Sequence, residues 1–204
     1  MHMWNGVDPD RCGIVPKSAD ADFTLNDYAR WVFDTPACVV VDKSTENGWR
    51  TDSRAFKDIY KDRHATSEEL EHALSMEWPD VRLKKFVEIR PADALELPEL
   101  LAYCALIKGL FYGPHGKDAL DELFFGVKTS DIEHAKLEII EHGWDALVYK
   151  KPVSEYIDAL FAIAKAGLPL DETAFLEPLE SLSIKRISPR ENTYTRLKNL
   201  GIIA

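Results

Sequence analysis

Strand-like and helical patterns alternate along the chain up to about residue 96, and helical patterns alone follow. In the later part, apolar residues recur at helical spacing, and Gly or Pro separates one segment from the next. The helices predicted there are Pro98 to Tyr112, Lys117 to Lys128, Ser130 to His142, Val153 to Ala166, Asp171 to Ser183 and Ser188 to Leu200. The pattern predicts an α+β fold, with residues 1–96 as a strand-containing part and residues 97–204 as a helical C-terminal region of the same structural unit.

Two helices in the first part begin with a capping box, a hydroxyl residue followed three positions later by an acid. These boxes start at Thr24 and at Thr66. Between them, the apolar run 37–41 predicts a strand, and Asn47-Gly48 predicts a turn into a return strand at 49–51. The segment between the two helices therefore predicts a β-hairpin.

Composition excludes several classes of protein. A formal net charge of -10, from 35 acidic and 25 basic residues, disfavours binding to nucleic acid or to an anionic membrane surface. No apolar run approaches the roughly 20 residues of a membrane span, and the first residues do not show a signal-peptide pattern. The 3 cysteines are widely spaced, which disfavours a disulfide framework and a closed zinc site. We therefore expect a cytoplasmic protein with no nucleic-acid or membrane partner.

One segment combines strand-like alternation with an excess of basic side chains. If residues 80–93 form a single strand, Arg82, Lys84, Glu88 and Arg90 share one face, because successive side chains point to opposite sides. Glu88 and Arg90 are then about 6.6–6.8 Å apart along the strand and need not neutralise each other. A carboxylate is a hard ligand for a divalent cation, and a guanidinium suits a phosphate. The alternation fits either such a site or the solvated face of an amphipathic strand.

The roles of three further residues are open at this point. Arg11, in the turn 8–13, contacts a substrate carboxylate or phosphate, or it pairs with a neighbouring aspartate. Lys84 contacts a nucleotide or is a solvated cation. Asp93 accepts a hydrogen bond from Arg90 or begins the following loop.

The residues of this segment resemble a known protein family. Residues 78–93 read Trp-Pro-Asp-Val-Arg-Leu-Lys-Lys-Phe-Val-Glu-Ile-Arg-Pro-Ala-Asp. They are similar to Phe-Pro-Glu-Val-Arg-Leu-Lys-Arg-Tyr-Leu-Glu-Met-Arg-Gly-Ala-Asp of the glutamate–cysteine ligases of plants and many bacteria. Trp4 with residues 8–16, residues 23–36 and residues 103–112 resemble further stretches of that family in the same order. The chain is thus similar to the C-terminal half of such a ligase.

The resemblance implies an enzyme that uses ATP and Mg²⁺. Family members activate glutamate as an acyl phosphate and join it to cysteine, which gives γ-glutamylcysteine for glutathione biosynthesis. Their fold is similar to glutamine synthetase, so the resemblance implies part of an antiparallel sheet of that kind. It implies Glu88 as a metal ligand and Arg90 as the catalytic contact to the terminal phosphates. We further expect Lys84 to contact nucleotide phosphate and Arg11 to contact substrate.

The chain also departs from the family. The resemblance places most of the family's magnesium-binding carboxylates in segments before the point where this chain begins, and Pro91 stands where the family has Gly. Three interpretations follow: a fragment, one half of a split enzyme, or a non-catalytic binding or regulatory module. Because half a domain leaves sheet edges open, we expect self-association into a homo-oligomer unless a complementary N-terminal half is present.

Overall fold

The computed structural model describes residues 6–92 and 94–203. These residues divide into two units. The first contains the described residues through Ala92 together with Lys128–Lys136, and the second contains residues 94–127 and 137–203. Helices and strands both occur, so the α+β prediction is confirmed. Within the described ranges, no helix has the length and apolar character that crossing a membrane requires.

The elements before residue 93 alternate as the sequence predicts. In chain order they are β1 (Cys12–Gly13), α1 (Leu25–Asp34), β2 (Val39–Val41), β3 (Trp49–Thr51), α2 (Phe56–Ile59), α3 (Ser67–Ser75), β4 (Trp78–Pro79), β5 (Val81–Leu83) and β6 (Val87–Ile89). Both predicted capping boxes form, at Thr24 before α1 and at Thr66 before α3. The predicted hairpin also forms, with β2 antiparallel to β3.

The segment predicted as one strand over residues 80–93 is instead a β-hairpin, so that prediction is wrong. β5 and β6 are antiparallel, with Arg82 opposite Glu88, and residues 84–86 form the turn between them. The amide of Lys84 donates to the carbonyl of Phe86 at 2.9 Å across this turn. This turn has no signal in the sequence, because Lys-Lys-Phe contains none of the Gly, Asn or Pro residues that usually mark a hairpin turn.

The strands of the described residues form four two-stranded ladders. One is parallel, β1 with β4, and the others join consecutive strands in antiparallel fashion. The core of the first unit is formed by buried side chains of its helices and of β2, among them Tyr28, Val32, Val40 and Phe56. Leu83 of β5 packs against this core, which fixes one strand of the hairpin to the unit.

The elements after residue 93 are mostly helices. They are α4 (Leu97–Phe111), α5 (Gly116–Leu123), α6 (Thr129–His142), β7 (Leu147–Val148), β8 (Lys151–Pro152), α7 (Val153–Gly167), α8 (Glu177–Ile184) and α9 (Pro189–Asn199). Each predicted helix has a counterpart, although the one predicted to begin at Asp171 starts as a short 3₁₀ turn at Thr173–Leu176. The small hairpin of β7 and β8 was not predicted.

Glycines allow α4 and α7 to approach each other closely in the second unit. A Cβ atom added to Gly109 would overlap the backbone oxygen of Ala164 on α7, and one added to Gly167 would overlap the backbone oxygen of Gly109. The side chains of Leu110, Phe161 and Leu176 form a buried cluster around this crossing. The helical unit therefore depends on small residues at one point of backbone contact.

We predict that Gly109→Ala lowers the free energy of unfolding by about 1–3 kcal/mol, because the added methyl group forces two helix backbones apart. Gly6→Ala is the matched control, since a Cβ at Gly6 meets no atom within 4 Å. We expect it to change stability by less than about 0.5 kcal/mol. Urea unfolding followed by circular dichroism measures both. Equal effects of the two substitutions would contradict the close helix crossing.

Candidate functional site

Arg82 is the buried centre of the charged face on the β5–β6 hairpin. Its Nε and one terminal nitrogen donate to Oε2 of Glu88, at 3.1 and 2.7 Å. Its other terminal nitrogen donates to the backbone carbonyls of Ser75 and Glu77, at 3.3 and 3.0 Å. The guanidinium therefore joins both strands of the hairpin to the end of α3 and the residues that follow it.

Glu88 lies between two arginines. Arg90 donates to its second oxygen, Oε1, at 2.7 Å. Hydrogen bonds from Arg82, and then from Arg90, hold the pKa of Glu88 below its ordinary value, so the carboxylate stays ionised at neutral pH. The spacing of Glu88 and Arg90 along the strand does not require them to pair, but they do pair here, because an arginine side chain is long enough to span the distance between alternate residues on one strand face.

The described residues do not by themselves fit a magnesium ion at this site. Both oxygens of Glu88 already accept hydrogen bonds from guanidinium groups. No group of three or more His, Cys, Asp or Glu side chains that could hold a metal occurs within residues 6–92 and 94–203. Mg²⁺ requires a near-octahedral set of oxygens, and a single carboxylate beside two cations does not supply it.

The same geometry does suit a phosphate. The Arg90 side chain is 29% exposed, and its only ion pair in the described structure is the one to Glu88. A guanidinium carries five N–H donors, and within residues 6–92 and 94–203 the Arg90 side chain uses one of them, toward Glu88, so that others could bind phosphate oxygens. The ion pair with Glu88 holds the Arg90 guanidinium in place and leaves part of the Arg90 side chain exposed.

Lys84 lies at the other end of the hairpin. It lines a cleft of about 430 Å³ with Leu74 and Ser75 of α3 and with Phe86 of the turn. The neighbouring Lys85 pairs with Glu71 at 2.7 Å, whereas Lys84 makes no ion pair within the described ranges. Arg90 lies opposite residue 80 in the ladder, four residues before Lys84. At the usual rise per strand residue, Lys84 and Arg90 are therefore about 13 Å apart along the hairpin. The structure thus places the two predicted phosphate contacts on one hairpin but at opposite ends.

A known protein family matches most of this chain. The model of glutamate-cysteine ligase family 2 matches residues 1–178. The chain belongs to this family.

Its curated relatives are chloroplast enzymes of plants. Glutamate–cysteine ligase A of Oryza sativa subsp. indica is 24% identical over 214 residues, which cover 98% of this chain and 41% of the rice protein. The ligase of Arabidopsis thaliana is 24% identical over 93% of this chain and 38% of its own length. The ligase of Medicago truncatula is 28% identical over 93% and 39%. The chain therefore spans about two fifths of the length of the relatives it matches.

Arg11 is buried, with 4% of its surface exposed. Its guanidinium is paired with Asp8, whose Oδ2 lies 2.8 Å from Nε, and it also donates to the backbone oxygen of Pro36. Of the two roles left open by the sequence, the aspartate pairing is the one that forms. The geometry gives no support to the substrate contact.

Glu77 is a buried acid that sequence reasoning missed. Its side chain is fully buried, and neither carboxylate oxygen has a hydrogen bond of ordinary distance and angle in the described structure, although the Thr35 side chain lies near enough to oppose the rise in its pKa. Burial raises its pKa to about 8, and the nearby Arg11 reduces that rise without cancelling it. The carboxyl group is therefore largely protonated at neutral pH. The only sign of this buried acid in the sequence is its position between two apolar residues, Met76 and Trp78.

Two features of the resemblance cannot be placed. Trp4 and Asp93 lie outside the residues that the structure describes. The proposed acceptor role of Asp93 toward Arg90 therefore stays a prediction.

We predict that Arg82→Ala and Arg90→Ala differ strongly in stability, although both remove a partner of Glu88. Loss of Arg82 leaves two backbone carbonyls and the Oε2 atom of Glu88 without their hydrogen-bond donors, and we expect it to cost about 3 kcal/mol. Arg90 is more exposed, and among the described residues its side chain bonds to Glu88 alone, so its loss should cost about 1 kcal/mol or less. Thermal and urea unfolding of both variants measure the difference. Similar losses would contradict the assignment of Arg82 as the structural arginine.

We predict that Glu77→Gln removes part of the pH dependence of stability. Glu77 binds a proton more tightly in the folded chain than in the unfolded chain, so its contribution to stability falls as pH rises from about 4.5 to about 8. Between pH 5 and pH 8.5, the melting temperature of the wild type should fall relative to Glu77→Gln by roughly 3 °C or more. This follows because one pKa unit is worth about 1.4 kcal/mol and each kcal/mol shifts the midpoint by about 2–4 °C. Parallel curves for the two proteins would contradict the burial of an uncompensated acid.

Proposed function

We propose that this chain is part of a glutamate–cysteine ligase-like enzyme. In this proposal the enzyme uses ATP and Mg²⁺ to form γ-glutamylcysteine through an acyl phosphate, with glutamate and cysteine as substrates, in glutathione biosynthesis. Membership of the family supports the reaction class. The relatives that share the matched region are named as glutamate–cysteine ligases.

The observation that carries the proposal is the pair of arginines around Glu88. Arg90, oriented by Glu88 at 2.7 Å, is the catalytic residue that binds the terminal phosphates and stabilises negative charge as the phosphoryl group moves. Lys84 contacts the nucleotide at the other end of the hairpin. Arg82 positions Glu88 and does not contact substrate, because it is buried.

The Mg²⁺ that the family uses must be held largely by carboxylates outside these residues. Glu88 joins that set only as one member of a larger group, because the described residues do not fit the ion alone. When bound, Mg²⁺ would neutralise charge on the ATP phosphates. We accordingly propose that the chain acts with the rest of a ligase, whose strands extend the hairpin into a glutamine-synthetase-like antiparallel sheet. We place the enzyme in the cytoplasm.

A second candidate is a non-catalytic binding or regulatory module built on the same scaffold. The observation in its favour is that both carboxylate oxygens of Glu88 already accept hydrogen bonds from arginines. In such a module the arginine pair is structural, and the chain does not bind nucleotide.

Binding of ATP to the chain, measured by isothermal titration with and without Mg²⁺, tests the proposal. We expect saturable binding that Arg90→Ala weakens by about tenfold or more, because charge-assisted hydrogen bonds to phosphate are lost. Lys84→Ala should weaken binding as well, whereas the control Lys85→Ala should not, since Glu71 already engages the Lys85 ammonium.

Two results would reject the ligase assignment of this site. One is the absence of saturable ATP binding, which favours the non-catalytic module. The other is binding that Arg90→Ala and Lys85→Ala weaken equally, which would indicate only general attraction to positive charge.

A further inference from the structure

Asp80 lies directly across the hairpin from Arg90. The amide of Arg90 donates to the carbonyl of Asp80 at 2.9 Å, one position beyond the pairing of Val81 with Ile89. Residues that face each other in an antiparallel ladder have Cβ atoms about 4.5–5.5 Å apart, so an aspartate can reach the guanidinium opposite. Arg90 therefore has two acids as neighbours, Glu88 on its own strand and Asp80 across the ladder.

The carboxylate of Asp80 nevertheless pairs with a different cation. Its Oδ2 atom lies 2.5 Å from Nζ of Lys136, a residue of α6. The side chains of Asp80 and Lys136 are 29% and 16% exposed, so the ion pair is partly shielded from solvent. Within residues 6–92 and 94–203, the ion pair of Arg90 is with Glu88 and that of Asp80 is with Lys136.

The beginning of α6 is anchored to the first unit at two points. Thr129 accepts a hydrogen bond from the amide of Ala19 at 3.1 Å and donates one to Asp20 at 3.4 Å. Lys136 follows about two helical turns later, which places it on the same face of the helix. Residues 128–136 accordingly belong to the first unit. The ammonium group of Lys136 is therefore brought to Asp80 by a helix that is itself fixed in place.

We propose that Lys136 is a positioning residue that keeps the Arg90 guanidinium available to phosphate by neutralising Asp80. Without Lys136, the partly buried carboxylate of Asp80 gains a partner by turning to the guanidinium across the ladder. An Arg90 held by both Glu88 and Asp80 has fewer donors left for phosphate oxygens, and its positive charge is cancelled. The inference rests on the proposed function for the phosphate bound at Arg90.

Direct contact between Lys136 and phosphate fits the structure less well. The ammonium group already has a carboxylate at 2.5 Å, and the lysine side chain is less exposed than that of Arg90. If the ammonium group moved to a phosphate, Asp80 would be left without a cation, and its negative charge would lie beside an anionic ligand. Lys136 therefore acts through Asp80.

The test is a double-mutant cycle in which isothermal titration measures ATP binding to the chain. Lys136→Met removes the ammonium group, and we expect it to weaken binding about fivefold or more, because Asp80 then captures Arg90. Asp80→Asn removes the acid and keeps its shape, and it should stay within about twofold of the wild type, because Arg90 is already available. The double variant should return to within about twofold of the wild type, because it has no acid at position 80 to capture Arg90.

A second measurement does not require ATP. Phenylglyoxal modifies accessible guanidinium groups, and mass spectrometry of the peptide that contains Arg90 gives the rate of modification. We expect Lys136→Met to slow this rate about threefold or more, because two carboxylates then engage the guanidinium. Adding Asp80→Asn should restore the rate.

Two variants are controls for charge and for folding. Lys165→Met removes a lysine that pairs with Glu180 in the second unit, so it lowers the net charge equally and should leave both measurements unchanged. Lys136→Arg should behave as the wild type, because its guanidinium can pair with Asp80. If Lys136→Met fails to fold by circular dichroism, Lys136→Gln takes its place in the cycle.

Three outcomes would overturn the inference. One is ATP binding that Lys136→Met leaves unchanged, and another is a double variant as weak as Lys136→Met, which would indicate direct contact of Lys136 with phosphate. The third is a set of additive effects, with Asp80→Asn strengthening binding as much as Lys136→Met weakens it, which would indicate general attraction between charges.

The proposed function and this inference fail in different ways. Absence of ATP binding together with the expected pattern of Arg90 modification would reject the ligase site alone. ATP binding that depends on Arg90, with no effect of Lys136→Met on binding or on modification, would reject the role of Lys136 alone.

Discussion

The charged hairpin depends on how completely the Arg82 guanidinium is paired. A buried cation is stable only when its donors find acceptors, and here those acceptors come from Glu88 on the opposite strand and from two backbone carbonyls at the end of α3. The pairing fixes the orientation of the hairpin. Arg82 and Glu88 turn toward the protein, whereas Val81, Val87 and Ile89 on the other face are exposed. This reverses the usual arrangement of an amphipathic strand at every apolar position of the two strands except Leu83, which packs against the core.

This orientation explains why Glu88 is held firmly and why the site does not hold a metal ion by itself. Glu88 is held ionised between two arginines, and it in turn fixes the more exposed Arg90 where a phosphate can reach it. The same arrangement occupies the one carboxylate that family resemblance assigns to metal. These residues therefore contain a partly exposed guanidinium with the chemistry to bind a phosphate, whereas a magnesium site requires acidic groups that the described residues do not bring together.

Beside the hairpin lies a second group of buried charges with a different character. Arg11 and Glu77 are both almost completely removed from solvent, and each has at least one polar atom without a hydrogen-bond partner in the described structure. Arg11 is neutralised by Asp8, so Glu77 lowers its free energy by taking up a proton. The backbone carbonyl of the same residue accepts from Arg82, which links this acid to the hairpin.

The sequence by itself determined the features that local hydrogen bonds control. These are the two capping boxes, the turn at Asn47-Gly48 and the order of the helices after residue 97, along with the charged residues that mark the family. Tertiary structure alone decided the fold of residues 81–90, where a turn of Lys-Lys-Phe forms because Arg82 and Glu88 meet across two strands. It also decided that Arg11 is buried and that Glu77 is protonated, because burial and pairing depend on residues distant in sequence. A periodic pattern shows which residues share a face, but only packing determines which face is turned to solvent.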